Sequence, residues 1–301
     1  MLTGIHFLLT YACNFECDHC FLFCGPFREG TFTIDQIRRV YEEMAKIDTM
    51  EWVYFEGGEP FLYYPIMVEG LRLAKGMKLK TGIVSNAYWG TAVEDAELWL
   101  RPLSQLDISD LSLSDDAFHQ GEGGVNTARI AMQAAKNLGF PAGSICIEEP
   151  VVQRSIDEES RGEPVIGGNA MFRGRAVEKL IKDLPRKSYK EFTECPHEEL
   201  VRPKRIHIDP FGHTHICQGI SMGNMWQTPL SELDTTYDAS QHPICGPLVK
   251  GGPAELAREY DVDHEEKYVD ACHFCYEVRK SLIDRFPEYL APRQVYGLDL
   301  E

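Results

Sequence analysis

The 301-residue sequence predicts an α/β fold: a partial (β/α)6 barrel of the TIM type, followed by a small C-terminal α+β domain. Two observations support this prediction. From Gly4 to about Leu184, short apolar runs alternate with amphipathic stretches, which is typical of β–α units around a parallel sheet. After Leu184 the alternation stops and the sequence shows hairpin signals. We therefore predict a barrel over residues 1–185 and a second domain over residues 186–301.

Six apolar runs of strand length predict the strands of the barrel. Between them, apolar residues recur every three or four positions, which predicts helices. The first helix has a defined start, because Thr33 and Gln36 form a capping-box sequence. In such a barrel, catalytic groups gather at the carboxyl ends of the strands. The predicted strands are Ile5–Thr10, Trp52–Phe55, Leu79–Ser85, Ile108–Leu113, Ser144–Ile147 and Pro164–Ile166.

The second domain begins with a predicted β-hairpin. Residues Arg205–Asp209 and His213–Cys217 alternate in polarity on either side of a Pro-Phe-Gly turn. Loops and short helices follow, and a last helix is predicted from Cys275 to about Phe286.

Composition and charge narrow the classes of function. The net charge of −17 disfavours nucleic acid as a partner, because phosphate contacts require clustered Lys and Arg. No apolar run approaches the roughly 18 residues of a membrane span. Residues Met1–Thr10 lack the basic region and cleavage site of a signal peptide. We therefore predict a cytoplasmic protein that binds neither nucleic acid nor membrane.

The ten cysteines fall into two groups and one isolated residue. Four lie between Cys13 and Cys24, and five lie between Cys195 and Cys275. In a reducing cytosol, such groups are more typical of metal sites than of disulfides. Cys146 stands alone in an apolar run, which predicts a small core residue.

The first cysteine group directly follows the first predicted strand. Cys13, Cys17 and Cys20 have the spacing C-x3-C-x2-C, and three thiolates this close can hold three corners of an iron–sulfur cube. Cys24 is a fourth candidate. If it binds, the site is a closed, ferredoxin-like centre; if it does not, one iron stays open to a substrate or cofactor. A structural zinc site is the other alternative.

A glycine-rich turn ends the second predicted strand, in the sequence Phe55-Glu56-Gly57-Gly58-Glu59-Pro60. Two glycines let the backbone approach a ligand closely, and a carboxylate can accept a hydrogen bond from an ammonium group. The same residues could form an ordinary strand-to-helix turn opened by the proline.

The cysteine spacing and the Gly-Gly-Glu-Pro turn together resemble the radical S-adenosylmethionine (SAM) superfamily. The resemblance implies that Cys13, Cys17 and Cys20 hold a [4Fe-4S] cluster whose open iron is chelated by SAM. It implies further cofactor contacts, although the weaker matches could be ordinary strand-end loops. The implied SAM-binding residues are Gly57, Gly58, Glu59 and Pro60 at the methionine, His19 near the adenine, Ser85 and Asn86, then Ser112, Ser114 and Asp115 near the ribose, and Arg173 at the carboxylate.

The second cysteine group resembles the auxiliary-cluster region called SPASM, in its short form, Twitch. That form occurs in 2-deoxy-scyllo-inosamine dehydrogenase, a radical SAM enzyme of aminoglycoside biosynthesis. The resemblance implies a second [4Fe-4S] cluster held by Cys195, Cys217, Cys272 and Cys275. Cys245 could replace Cys195 as a ligand, but we interpret it as a packed thiol. A structural zinc held by four cysteines is the alternative.

The resemblance implies an oxidoreductase. Its first cluster would reduce SAM, the resulting 5′-deoxyadenosyl radical would abstract hydrogen from the substrate, and the auxiliary cluster would accept an electron. It also implies a reduced flavodoxin or ferredoxin as electron donor. The alternatives are a peptide or protein maturase of the same fold and a non-catalytic iron–sulfur electron carrier.

The sequence leaves the substrate open between a small molecule and a peptide. Because the first strand begins at residue 5, we expect no N-terminal peptide-recognition domain, which favours a small molecule or a separately recruited peptide. The proton acceptor is also open, and each candidate near a strand end could be a solvated loop residue. These candidates are Asp116, His119, Glu148 and Glu149.

Overall fold

The computed structural model describes residues 2–120, 125–156, 161 and 164–299. Its strands, numbered along the chain, are β1 (Gly4–Thr10), β2 (Trp52–Gly57), β3 (Lys80–Ser85), β4 (Asp110–Ser114), β5 (Ala142–Ile145), β6 (Val151–Arg154), β7 (Pro164–Gly167), β8 (Lys187–Ser188), β9 (Arg205–Ile208), β10 (His213–Cys217), β11 (Ile220–Asn224) and β12 (Lys267–Tyr268).

The helices surround one large sheet, and none in the described part of the chain is long and apolar enough to cross a lipid bilayer. They are α1 (Ile34–Met44), α2 (Tyr64–Gly76), α3 (Val93–Leu100), α4 (Ala117–Gln120), α5 (Thr127–Asn137), α6 (Arg175–Lys179), α7 (Leu230–Thr236), α8 (Cys245–Tyr260, kinked at its two central glycines) and α9 (Ala271–Leu282).

Eight strands form the main sheet, in the order β11-β10-β9-β1-β2-β3-β4-β5. The six strands from β9 to β5 run parallel, and β10 and β11 extend the sheet in antiparallel fashion. The predicted α/β class is confirmed. The predicted hairpin is also present, but it continues the barrel sheet: β9 pairs with β1, with His207 opposite His6.

The sixth predicted barrel strand is wrong. Pro164–Ile166 lies in β7, which pairs antiparallel with β6 in a separate two-stranded ribbon. The physical reason is the connection, because parallel neighbours need a crossover of a dozen or more residues, usually through a helix. The described chain between β5 and β7 forms β6 and no helix, the interval from β6 to β7 is too short for a crossover, and β9 supplies the sixth parallel strand instead.

The two faces of β1 show how the sequence positions the barrel. Phe7 packs against Phe55 and against Tyr41 of α1, so this face of the strand carries the core. On the opposite face, His6 stacks on Tyr54 at 4.6 Å. Alternation along the strand therefore buries apolar residues under the helices and presents polar residues to the barrel interior.

One continuous apolar core joins the two halves of the chain. It includes residues of the barrel strands and residues of the last helices, such as Leu256 and Phe274. A smaller cluster packs the segment after β1 against Val295 near the C-terminus. The C-terminal part therefore lies directly on the barrel, and the domain boundary near residue 185 stays a prediction.

The prediction for Cys146 is wrong. Its side chain is exposed, because it follows β5, the last strand of the sheet, whose residues are themselves largely exposed. All ten cysteines lie in the described part of the chain, and each is a free thiol.

The capping box of α1 is confirmed and yields a stability prediction. The Thr33 hydroxyl accepts from the Gln36 N–H at 3.3 Å, and the Gln36 side chain accepts from the Thr33 N–H at 2.9 Å. Thr33→Ala should lower the free energy of unfolding by about 1 kcal/mol. Denaturant unfolding measures this, with Thr235→Ala as control, because that exposed hydroxyl only bonds back to carbonyls within its own helix. Equal effects of the two changes would contradict the prediction.

Candidate active site

The cysteine loop, defined here as residues 11–25, leaves the carboxyl end of β1 and lies against the glycine-rich turn after β2. The Gly58 N–H donates to the Thr10 carbonyl at 2.7 Å, and the Glu59 N–H donates to the Ala12 carbonyl at 3.0 Å. A Cβ at position 58 would lie 2.1 Å from the Ala12 carbonyl oxygen. Glycine is therefore required at position 58 for two backbone segments to meet at this distance.

The first pocket, about 330 Å³ in volume, opens between the cysteine loop and the ends of the barrel strands. Many predicted site residues line it, and its wall is largely apolar between them. The predicted residues that line it are Cys13, Cys17, His19, Cys20, Gly57, Gly58, Ser85, Asn86, Ser114 and His119, together with Cys24.

Hydrogen bonding distinguishes Cys24 from the other thiols of this pocket. The Cys24 thiol donates to Cys20, which lowers the pKa of Cys20 to about 6 and, together with burial, raises the pKa of Cys24. Burial raises the pKa of Cys13 to about 12. Cys20 is therefore the group most readily present as a thiolate, and Cys24 acts as its hydrogen-bond donor.

The cysteines do not form a compact group of three in the described part of the chain. Among the described residues, no group of three possible ligand atoms within 4.8 Å of one another includes a cysteine. Tetrahedral zinc, with Zn–S bonds of about 2.3 Å, would hold its sulfurs about 3.8 Å apart. An iron–sulfur cube separates its thiolates further, because each thiolate binds a different iron.

Arg175 fixes the cysteine loop from the outside. Its guanidinium donates to the carbonyls of Cys17 and Cys24, both at 2.8 Å, and its N–H donates to the Cys20 carbonyl. The preceding Gly174 has φ of +63° and leaves no room for a Cβ, which would lie 2.5 Å from the Phe21 Cα. Sequence analysis named Arg173 and not Arg175, although the two arginines stand on either side of Gly174 in the sequence.

Arg173 lies in a different place from the one that the resemblance implies. Its guanidinium donates to the Cys217 Sγ at 3.0 Å and to Glu198 at 3.2 Å, in a second pocket. Arg173 and Arg175 flank Gly174 and point in different directions. Arg173 contacts the second cysteine group, and Arg175 contacts the first. Arg173 therefore lines the second pocket and not the first.

Glu59 is fully buried behind the wall of the first pocket. Its carboxylate accepts from the Phe61 N–H at 3.0 Å, the Ser85 hydroxyl at 2.9 Å and the Asn86 N–H at 2.7 Å. Burial raises its pKa to about 7 despite these bonds. The carboxylate thus connects the end of β2 to the end of β3, while Pro60 begins a short 3-10 helix that ends at Tyr63.

The remaining predicted SAM-binding residues divide into two sets. Asn86 faces the pocket and donates to Asn14 at 2.8 Å, and Ser114 lies in the wall. Ser112 lies deeper, bonded to Asp110, and Asp115 pairs with Arg129 of α5 at 3.1 Å. Neither Ser112 nor Asp115 lines the pocket.

A histidine pair and a buried carboxylate lie on the far side of the first pocket. His119 Nδ1 is 2.7 Å from Asp116 Oδ1, and the His19 ring lies 5.3 Å from the His119 ring. Burial, together with His119, lowers the pKa of His19 to about 4. The other two candidate proton acceptors, Glu148 and Glu149, are exposed and do not line the pocket.

Sequence analysis missed a polar group inside the barrel. His207 Nε2 lies 2.9 Å and His6 Nδ1 3.3 Å from Glu56 Oε1, and Glu56 lines the first pocket. Burial opposes ionisation of Glu56, but the two histidines lower its pKa. The available signal was alternation, since each residue is the polar member of an otherwise apolar strand.

The second pocket, about 20 Å³ in volume, brings the other four predicted cysteines together. Cys195 precedes β9, Cys217 ends β10, and Cys272 and Cys275 lie in the first turns of α9. Cys245 is fully buried outside this wall. Burial raises its pKa to about 12, and its thiol is hydrogen-bonded to Tyr237, as in a packed thiol.

Comparison with known protein families identifies the class of protein. Residues 7–159, about half of the 301-residue chain, match the Radical SAM superfamily. The chain belongs to the radical SAM superfamily. The family implies a [4Fe-4S] cluster and SAM, and the thiols and glycine turn of the first pocket fit that pair.

The individual relatives share little sequence identity with this chain. The putative peptide biosynthesis protein YydG of Bacillus subtilis (strain 168) is 29% identical over 111 residues, which is 37% of this chain and 35% of that protein. The crystal structure of BtrN in complex with AdoMet and 2-DOIA is 15% identical with a TM-score of 0.51, covering 77% of this chain and 82% of that one. Streptococcus suis SuiB bound to S-adenosylmethionine is 12% identical with a TM-score of 0.39, over 79% and 66% of the chains. BtrN shares the fold.

The contact between Gly58 and Ala12 predicts a selective loss of metal. In Gly58→Ala, the added Cβ should displace the cysteine loop, and the iron bound by Cys13, Cys17 and Cys20 should fall sharply. Iron analysis after anaerobic reconstitution measures this. Gly143→Ala is the control, because a Cβ there meets nothing within 4 Å. Full iron content in Gly58→Ala would contradict the prediction.

The three hydrogen bonds of Glu59 predict weaker SAM binding when its carboxylate is changed. In Glu59→Gln the amide nitrogen cannot accept, so at least one bond is lost and the pocket wall at Asn86 shifts. We expect SAM affinity to fall by about 1–3 kcal/mol while iron content is kept. Equilibrium dialysis with SAM measures this, with Glu69→Gln on α2 as control, because Glu69 pairs with Arg72 of the same helix and does not line the first pocket. An unchanged affinity would show that Glu59 does not shape the SAM site.

Proposed function

We propose that the protein is a radical SAM oxidoreductase that carries out a net oxidation, with a second [4Fe-4S] cluster as electron acceptor. The observation that carries this proposal is the difference between the two cysteine-lined pockets. The first is the larger one, and its four cysteines, among them Cys24 as hydrogen-bond donor to Cys20, lie beside a wall of polar groups and glycines. The second is small and has four cysteines around it, which favours a closed centre without room for substrate.

When bound, SAM supplies a 5′-deoxyadenosyl radical that removes a hydrogen atom from the substrate. The chain's own residues bind and orient: the glycine turn offers close backbone approach, and Asn86 offers an amide at the wall. Apolar side chains such as Phe15, Val84 and Ile147 line the same pocket and exclude water. The substrate then loses one proton and one electron, which completes a two-electron oxidation.

We propose His119 as the group that accepts this proton, with Asp116 as its positioning residue. His119 lines the first pocket, and the short contact from its Nδ1 to Asp116 fixes the tautomer. The other ring nitrogen is then the one able to accept a proton. Glu148 and Glu149 have neither property, because they are exposed and outside the pocket wall.

A second candidate function is peptide maturation. A groove of about 610 Å³ runs beside β7 and shares Asn169 and Met171 with the first pocket. The neighbouring ribbon exposes Val151 and Val152, about half of each side chain, and exposed apolar side chains of this kind often mark binding surfaces. The name of the relative YydG, a putative peptide biosynthesis protein, points the same way.

The partners follow from the same proposal. A reduced flavodoxin or ferredoxin would supply the electron for SAM cleavage, and free cysteines in both groups require a reducing compartment such as the cytoplasm. A non-catalytic electron carrier is disfavoured, because a carrier needs no substrate-sized pocket beside its cysteines.

Metal content tests the two-cluster proposal. Anaerobically reconstituted protein should hold about eight irons, as two cubes of four. Replacing Cys13, Cys17 and Cys20 by Ala should remove about half, and Cys24→Ala should remove none. Loss of a whole cluster in Cys24→Ala would support the closed, ferredoxin-like alternative.

The same preparation tests the oxidation. Cys272→Ala together with Cys275→Ala should remove the other half of the iron, leave SAM cleavage detectable and abolish product. Assays with small-molecule alcohols and with peptides, read by product mass, separate the two candidate functions. Product formed by protein that lacks the second cluster would contradict the electron-acceptor role.

A further inference from the structure

A fully buried guanidinium lies beside the four cysteines of the second pocket. Arg279 of α9 is 2% exposed and lines this pocket. It donates to the Gln218 carbonyl at 2.8 Å, the Tyr296 hydroxyl at 3.1 Å and the Cys275 carbonyl at 3.3 Å. All three acceptors are neutral. Within the described part of the chain, no carboxylate oxygen lies within 4.0 Å of Arg279.

A second cation lies in the same wall. Arg173 is 5% exposed and contacts Cys217 and Glu198. Glu198 can offset only one of the two guanidinium charges. Two other acidic groups lie nearby but do not offset these buried positive charges. Glu194 is exposed to solvent, and Asp270, the cap of α9, lies outside the pocket wall.

The free energy of this arrangement requires a negative partner. Arginine stays charged in proteins, and a buried charge without a counter-ion is strongly destabilising. The four cysteines are the groups that can supply the missing charge, provided that they are thiolates. A metal centre held by four thiolates is anionic, so it would neutralise what the polypeptide alone leaves unbalanced.

The start of α9 points in the same direction. Cys272 and Cys275 lie in the first turns of this 12-residue helix, and Arg279, one turn further along, donates to the Cys275 carbonyl. The same helix therefore carries two of the four cysteines and the buried guanidinium that faces them.

We infer that Arg279 is the fixed counter-charge of the auxiliary cluster and that it raises the cluster's reduction potential. This inference rests on the second cluster of the proposed function. Reduction adds one electron to an already anionic centre, so attraction to a buried cation is greater in the reduced state. Arg279 therefore favours uptake of the electron that the substrate loses.

The experiment is an anaerobic redox titration of the reconstituted protein, followed by electron paramagnetic resonance. Adding SAM identifies the N-terminal cluster, because the signal of that cluster alone should respond to SAM. In Arg279→Met, the ratio of reduced to oxidised auxiliary cluster at the wild-type midpoint should fall at least tenfold, which is 59 mV for a one-electron couple. The N-terminal midpoint should not move.

Three matched variants separate charge from packing. Arg279→Lys keeps the charge, and Tyr296→Phe removes one hydrogen bond to the guanidinium; both should change the ratio less than threefold. Glu198→Gln removes a negative charge and should shift the midpoint upward. If Arg279→Met binds no auxiliary cluster, a near-wild-type midpoint in Arg279→Lys and a raised one in Glu198→Gln still support the inference.

The outcomes distinguish this inference from the function beneath it. Wild-type protein with only about four irons and one midpoint would overturn the second cluster and the inference together. Stoichiometric zinc in the second pocket would do the same. Two clusters in the wild type, with equal auxiliary midpoints in the wild type and Arg279→Met, would overturn the role of Arg279 alone.

Discussion

The close contact between two backbone segments at the mouth of the barrel is the constraint on which the site depends. Gly58 meets Ala12 at a distance that excludes a Cβ, and the N–H groups of the turn bond to the cysteine loop. This contact sets where the thiols lie relative to the pocket wall. The buried carboxylate of Glu59 accepts a hydrogen bond from Asn86 at the end of the next strand, so the position of the turn also determines that of Asn86.

The segment around Gly174 connects the two cysteine groups. Arg175 donates to carbonyls of the first group, and Arg173 donates to the Cys217 thiol of the second. A displacement of this segment would therefore change both pockets. In a net oxidation the electron must pass from the substrate pocket to the second centre, and this segment, with Met171 in the first pocket's wall, lies between them.

The main sheet also connects the two cysteine groups. β9 completes the set of six parallel strands and continues directly into β10, which ends at Cys217. Asp209, just after β9, accepts a hydrogen bond from the Tyr11 hydroxyl at the start of the cysteine loop. Both cysteine groups are thus attached to one sheet, which lets a short chain hold two sites in fixed relation.

The sequence by itself determined the features whose chemistry is local: the cysteine spacing, the glycine turn and the capping box at Thr33. Each of these features depends on residues that are close together in the sequence. Only the tertiary structure decided the opposite directions of Arg173 and Arg175, the meeting of His6 with His207, and the exposure of Cys146. These depend on which distant segments pack together, and a local pattern of polarity carries no record of its partner.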